Sequence, residues 1–241
     1  MPQAADLGES FAPKDIVVDI KDADIIADLS SNSGRAAAIA AIGTKAPDGL
    51  DGLIPCAGLG PSVKSYDLIA RVNFFGVVAL IEGLKPLLQK RKGTAVVISS
   101  NSAALPGHNK DYVKALLDKN EARACEIIAG FDGQSAYGGS KYALAVWVRK
   151  QAPLFMKEGV RMNAVAPGIT QTAMTDQVFK DPTWGDAIRQ FNEITPCGSM
   201  ASPDMIAATI LFLLDPVSVF VCGSVLFVDG GTDALLRPEA F

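Results

Sequence analysis

Short runs of apolar, mostly β-branched residues alternate with longer amphipathic stretches along this chain. The runs are Ile16 to Ile20, Leu53 to Cys56, Ala95 to Ser99, Met162 to Val165 and Val225 to Val228. Being almost wholly apolar, they predict strands buried on both faces rather than strands with one wet side. Between them the period changes. From Ser65 to Gln89 the residues Leu68, Ile69, Val72, Phe75, Ala79, Leu80, Leu84 and Leu87 recur three or four apart, which is one face of a long helix. A second helix is predicted over Ala136 to Lys157. A third starts at Ser202, whose hydroxyl can cap it, with Pro203 in the first turn. Strand and helix in repeated alternation predict an α/β fold with a mostly parallel sheet and helices on both faces, the doubly wound, Rossmann-like architecture.

Two places break this rhythm. The segment from Ala103 to Ser135 is longer than a strand-to-helix connection and carries its own helical stretch around Val113 to Ile128. It reads as an insertion at about 103–135, at the C-terminal end of a strand, where ligands sit in such sheets. Near the start, only Lys21 to Asp24 separate Asp19 from the next apolar pair, whereas a parallel crossover needs about a dozen residues. Ile25 to Asp28 is therefore expected to continue the preceding strand in extended form. With no linker or repeat, residues 1–241 read as one domain.

Composition then narrows the function. The 241 residues are 49% apolar, with 22 basic against 26 acidic side chains and a net charge of −4. The densest basic run is Lys90-Arg91-Lys92, too little for a nucleic-acid surface. Four scattered cysteines and the single His108 suggest neither a zinc site nor a disulfide framework, so no metal and a reducing, cytoplasmic compartment are expected. No run approaches the roughly 20 apolar residues that span a bilayer, so no membrane association is expected. Any chemistry must come from Ser, Tyr, Lys or carboxylates, or from a cofactor.

Tyr137 and Lys141 lie four apart on a predicted helix and share a face. A phenol is a poor base at its usual pKa of about 10, and a nearby ammonium would lower it. Alone the pair equally describes a surface aromatic beside a solvated lysine. Ser99 and Ser100, ending a strand, and Asn73, interrupting the apolar face of the long helix, add weight, because a buried amide needs partners.

The ordered set identifies the chain as resembling the short-chain dehydrogenase/reductase family. Its parts are Asp19 at a strand end, Asp28-Leu29, Cys56-Ala57-Gly58, Asn73, Ser100, Tyr137 with Lys141, Pro167-Gly168 with Thr172, and Val228-Asp229-Gly230-Gly231. Within that family, Asp19 to Ser30, Cys56 to Pro61, the insertion and the C-terminal tail are most similar to the bacterial 3α-hydroxysteroid dehydrogenase/carbonyl reductases as a group. The resemblance implies hydride transfer between NAD(H) and a secondary alcohol or ketone, a hydroxysteroid or another bulky carbonyl compound, in a homodimer or homotetramer. It implies Tyr137 as acid/base, Lys141 lowering its pKa and holding the nicotinamide ribose, Ser100 polarising the carbonyl and Asn73 supporting a water relay. It places Asp19 on the adenosine ribose, favouring NAD over NADP, with Lys21 acting the other way. Asp28 and Leu29 would flank the adenine, and Ala57, Gly58, Pro167, Gly168 and Thr172 would also line the cofactor. Met174, Val178, Phe179 and Trp184 offer apolar surface for a large ligand.

The family's Gly-rich turn, Thr-Gly-x-x-x-Gly-x-Gly, is missing from the sequence. Met1 to Ala12 resembles an altered first helix running straight into the Ile16 strand. Without that turn the diphosphate loses backbone N–H donors, and without its strand two edges in mid-sheet are left unpaired. Two readings follow: an ordinary enzyme whose first strand lies upstream of Met1, favoured because every later catalytic position is intact, or a non-catalytic dehydrogenase-like binding or dimerisation protein with impaired cofactor binding.

Overall fold

The computed structural model describes residues 15–240, so the expectation for Met1 to Ala12 lies outside the described residues. Four parallel strands form the main sheet: β3 (Gly52–Leu53), β4 (Thr94–Ile98), β5 (Arg161–Pro167) and β6 (Val225–Val228), adjacent in that order. The register pairs Val96 with Asn163 and Val165 with Leu226. Along β4 and β5 alternate residues separate onto two faces. Ala95, Val97, Met162 and Ala164 join one apolar cluster, while Val96 and Val165 join another with Ile206, Ile210 and Leu213. The second cluster is covered by α9 (Pro203–Leu214) and the first by α6 (Gly133–Lys157). Helices thus lie on both faces, as the uniformly apolar strands predict.

The two strands nearest the N-terminus behave differently. β1 (Val18–Asp19) and β2 (Ile25–Ile26) form a separate two-stranded parallel sheet. The expectation that Ile25 to Asp28 merely continues the first strand is therefore wrong. Strands of two residues require a return of only about 7 Å, which Ile20 to Asp24 span without a helix. The reversal is held by Asp24, whose Oδ2 accepts from the Val17 N–H at 2.9 Å, and by Asp22 in the left-handed region at φ 50°. Val18 of β1 and Leu53 of β3 pack in one cluster with α1 (Asn32–Lys45), yet the two strands share no ladder. Among the described residues no strand lies between them, and Val17, Ile20, Ile26 and Ile54 are exposed. Their apolar run predicted burial; the unpaired edges explain its failure. β3 also stops short of the expected Cys56, because Pro55 has no N–H to continue the ladder.

The long helix is present but not uniform. It runs through α2 (Tyr66–Ala70), a π-helical segment (Arg71–Gly76) and α3 (Val77–Arg91). The insertion contains two helices where one stretch was expected, α4 (Lys110–Leu117) and α5 (Glu121–Ile128). Lys119, in the left-handed region at φ 57°, and Asn120, whose side chain caps α5, divide them. Tyr112 of α4 is fully buried against Gly139 of α6, where an added Cβ would meet its ring at 2.9 Å, so the glycine is what lets the insertion dock on that helix. The remaining helices are α7 (Ala173–Lys180), α8 (Gly185–Glu193) and α10 (Thr232–Leu236). Ser202 does occupy the cap position of α9 but makes no side-chain cap bond, a second correction. No helix among the described residues is long and apolar enough to cross a membrane.

Candidate active site

The C-terminal end of β4 meets the N-terminal half of α6 through two hydrogen bonds. Ser99 Oγ donates to the Lys141 carbonyl at 2.9 Å, and Lys141 Nζ donates to the Ile98 carbonyl at 2.8 Å. Ser100 Oγ accepts from the Ser102 N–H at 3.2 Å. One turn along α6, Tyr137 places its ring centroid 5.8 Å from Lys141 Nζ. Asp132 starts this helix by capping the Ser135 N–H at 2.7 Å. Gly133 lets the start of α6 lie against the Pro61 carbonyl, which an added Cβ would meet at 1.8 Å.

Burial decides the protonation of this pair. The Tyr137 phenol is pushed above its ordinary value by desolvation, with a Ser100 side-chain hydrogen bond pulling partly back. Lys141 is drawn down to about 8 by the same desolvation, partly countered by the Cys56 sulfur. The net shift of the phenol is upward, because loss of water outweighs the hydrogen bond from Ser100. A raised phenol stays protonated at neutral pH, the form that donates a proton.

Asn73 also takes a role the sequence did not show. Fully buried in the π-helical segment, its Oδ1 accepts from the Leu59 N–H at 2.7 Å and its Nδ2 donates to the Leu59 carbonyl at 2.9 Å. The amide thereby fixes the loop after β3, and its Nδ2 also lies 3.5 Å from Ser140 Oγ on α6. Through that loop it places Gly58, where an added Cβ would sit 3.6 Å from Asn73 Oδ1 and 3.8 Å from Lys141 Nζ. A π-helical turn often marks a functional position, and the only signal for it in the sequence is an amide inside an apolar run.

A cavity of about 550 Å³ opens over these groups. It brings together Ser100, Tyr137, Lys141, Gly58, Pro167, Gly168 and Thr172, all singled out from the sequence. Met174, Val178 and Trp184 line it, whereas Phe179 does not. Asp19, Asp28, Leu29, Ala57 and Asn73 are outside its lining. Asp19, exposed at the end of β1, accepts from the Ile20 N–H at 2.6 Å. Asp28 caps the Ser30 N–H at 2.9 Å, and hydrogen bonds from Ser30 hold its carboxyl below the usual range. The Leu29 side chain is buried in the cluster under α1. Sequence reasoning missed Asn101, Leu105, Ile188 and Phe191 of the lining; for Asn101 the available signal is its place directly after Ser99-Ser100.

The donor set suits the nicotinamide end of a dinucleotide. Lys141 has three N–H donors and uses one on Ile98, Gly58 presents bare backbone beside it, and the Thr172 hydroxyl stands at the N-terminus of α7. Asp19 would offer carboxylate oxygens to the hydroxyls of a ribose at the end of β1. The described residues contribute no glycine turn for the diphosphate. Gly168 is held closely against β6: its N–H donates to the Val228 carbonyl at 3.0 Å, and an added Cβ would lie 2.7 Å from the Asp229 Cα. Gly168→Ala is expected to lower the unfolding free energy by about 1–3 kcal/mol, because backbone must move to relieve the clash. Thermal unfolding checks this, and an unchanged midpoint would show that β5 and β6 separate freely.

Residues 124–233 match a family model described as enoyl-(acyl carrier protein) reductase. The chain is 42% identical over 229 residues to the 3-alpha-hydroxysteroid dehydrogenase/carbonyl reductase of Comamonas testosteroni, covering 93% of this chain and 88% of that protein. The crystal structure of the 3-alpha-hydroxysteroid dehydrogenase from Pseudomonas sp. B-0831 complexed with NADH superposes with a TM-score of 0.91 at 41% identity, covering 94% of this chain and 89% of that one. An active-site complex of Pseudomonas aeruginosa RhlG with NADP is more distant, with a TM-score of 0.65 at 26% identity and coverage of 87% and 75%.

Proposed function

This chain belongs to the short-chain dehydrogenase/reductase family, and from that premise we propose that it is an oxidoreductase interconverting a secondary alcohol and a ketone with a pyridine dinucleotide. The observation that carries this is the convergence of Ser100, Tyr137 and Lys141 on one large, mainly apolar cavity. When bound, the nicotinamide supplies or accepts the hydride. The chain's own residues handle the proton: the Tyr137 hydroxyl donates it to the carbonyl oxygen in reduction, becoming the phenolate, and in oxidation the phenolate takes the proton from the alcohol. Ser100 hydrogen-bonds the same oxygen and aligns it with the phenol. Lys141 offers its remaining N–H donors to the ribose and a charge beside the phenol. Met174, Val178 and Trp184 exclude water around a bulky substrate, for which a hydroxysteroid is the proposed class.

NAD(H) is proposed over NADP(H), because the Asp19 carboxylate accepts from ribose hydroxyls and repels a 2′-phosphate. The proposed setting is cytoplasmic, consistent with four unpaired thiols. A homodimer or homotetramer is proposed as well, supported by the exposed apolar side chains Phe212, Val217 and Phe220. The non-catalytic alternative is not favoured, since it gives no reason for the three polar groups to share one cavity.

The test is oxidation of reduced nicotinamide on adding a bulky cyclic ketone. Ketone-dependent turnover is expected, with NADH preferred over NADPH by about 10-fold or more, and Asp19→Ala is expected to narrow that preference. No ketone-dependent oxidation with either cofactor at millimolar concentration would reject the proposal.

A further inference from the structure

A second, smaller cavity of about 160 Å³ adjoins the first. The two share Asn101, Leu105 and Phe191, and the smaller one ends at Thr232, Asp233 and Arg237. None of Gly58, Lys141, Gly168 or Thr172 borders it, so this lobe lies apart from the groups suited to the dinucleotide. At the junction stands Asn101, only 8% exposed. Its Nδ2 is buried and has no hydrogen-bond partner among the described residues. A buried amide donor left unpaired is costly, and native proteins keep one mainly where another molecule satisfies it. Asn101 immediately follows Ser100, at the start of the 3₁₀ turn Asn101–Ala104 whose backbone is fixed by the Ser102 contacts to Ser100. The backbone that carries this amide is therefore fixed relative to the group proposed to bind the reacting oxygen.

We propose that Asn101 is a substrate-specificity residue. Its Nδ2 donates a hydrogen bond to a second oxygen of the substrate, distinct from the reacting one, and the lobe beyond Leu105 and Phe191 receives the substituent carrying that oxygen. The inference rests on the oxidoreductase reading of this site and deepens it. The preferred substrate is a bulky apolar alcohol or ketone with a second oxygen acceptor, not a plain hydrocarbon ketone. The selectivity follows from the cost of leaving the donor bare: a ligand without the second oxygen enters but pairs nothing, whereas one that has it converts an unsatisfied group into a bonded one.

The experiment compares a fused-ring monoketone with its diketone analogue, both titrated calorimetrically into the wild-type chain and into Asn101→Leu. The wild-type chain is expected to bind the diketone about 10-fold more tightly. Asn101→Leu is expected to lose that preference while holding the monoketone within about 2-fold, because only the donor is removed. Its melting temperature is expected to stay or rise, since an apolar residue of similar size replaces an unpaired polar one; a structural role would lower it. The proposal is overturned if the wild-type chain shows no preference or binds neither ketone, if Asn101→Leu keeps the preference, or if both ligands weaken equally. Turnover with reduced cofactor is measured separately: its absence would reject the oxidoreductase reading, while the affinity ratio still decides whether Asn101 reads a second oxygen.

Discussion

Tyr137→Phe is expected to lower kcat for ketone reduction by about 100-fold or more, with little change in the melting temperature or in substrate KM. The phenol oxygen is the proposed proton donor, and Phe removes that oxygen while keeping the ring that packs against the core. Burial holds the phenol protonated, so the residue is already in the donating form at neutral pH. A loss of only a few-fold would mean that the proton comes from elsewhere. The same reading sets the pH profile of the wild-type chain. Lys141 has its pKa lowered by burial to about 8, so its ammonium persists below that pH and is lost above it. Reductive kcat/KM is therefore expected to fall as pH rises through about 8, and a flat profile between pH 7 and 9 would separate Lys141 from the proton supply.

Arg35→Met is expected to lower the unfolding free energy by about 3 kcal/mol, the lower end for removing one partner of a buried ion pair. At this chain length that corresponds to a fall of roughly 10 °C in the melting temperature. Arg35 is 4% exposed and spends its guanidinium on several elements at once. Nε donates to the Leu29 carbonyl at 2.7 Å, Nη1 to Glu121 at 2.6 Å, and Nη2 to the Ser30 and Arg71 carbonyls at 3.2 and 3.1 Å. Glu121 belongs to the insertion and Arg71 opens the π-helical segment that carries Asn73, so one side chain ties α1, the insertion and the loop-fixing amide together. The value stays at the lower end because Glu121 keeps its 2.6 Å pair with Arg71. Unfolding in denaturant measures it; a loss below about 1 kcal/mol would place Arg35 among weak surface pairs.

Neither result was open to sequence reasoning in the same degree. The order of strands and helices was legible, as was the shared face of Tyr137 and Lys141, because both depend on local periodicity. Arg35 was not. In the run Gly34 to Ile42 it reads as a solvated residue on an alanine-rich helix, and its burial is set by Glu121, 86 residues away. Asn73 was legible as an anomaly but not as a clamp on Leu59, since the widened turn that accommodates it leaves no pattern. The apolar β1 and β3 segments were read as buried strands, yet burial there depends on a neighbour on each side, which a strand's own residues cannot report.

The sequence by itself determined the alternation of elements, the insertion after β4 and the set Ser100, Tyr137 and Lys141, all properties of neighbouring residues. Only the tertiary structure decided that burial raises the tyrosine's pKa, that β1 and β2 pair as a separate short ladder, and that Asn101 stands unpaired between two cavities. Each of those outcomes is a matter of what surrounds a group in space. Desolvation, strand pairing and hydrogen-bond satisfaction are contributed by segments far along the chain, and no local pattern carries them.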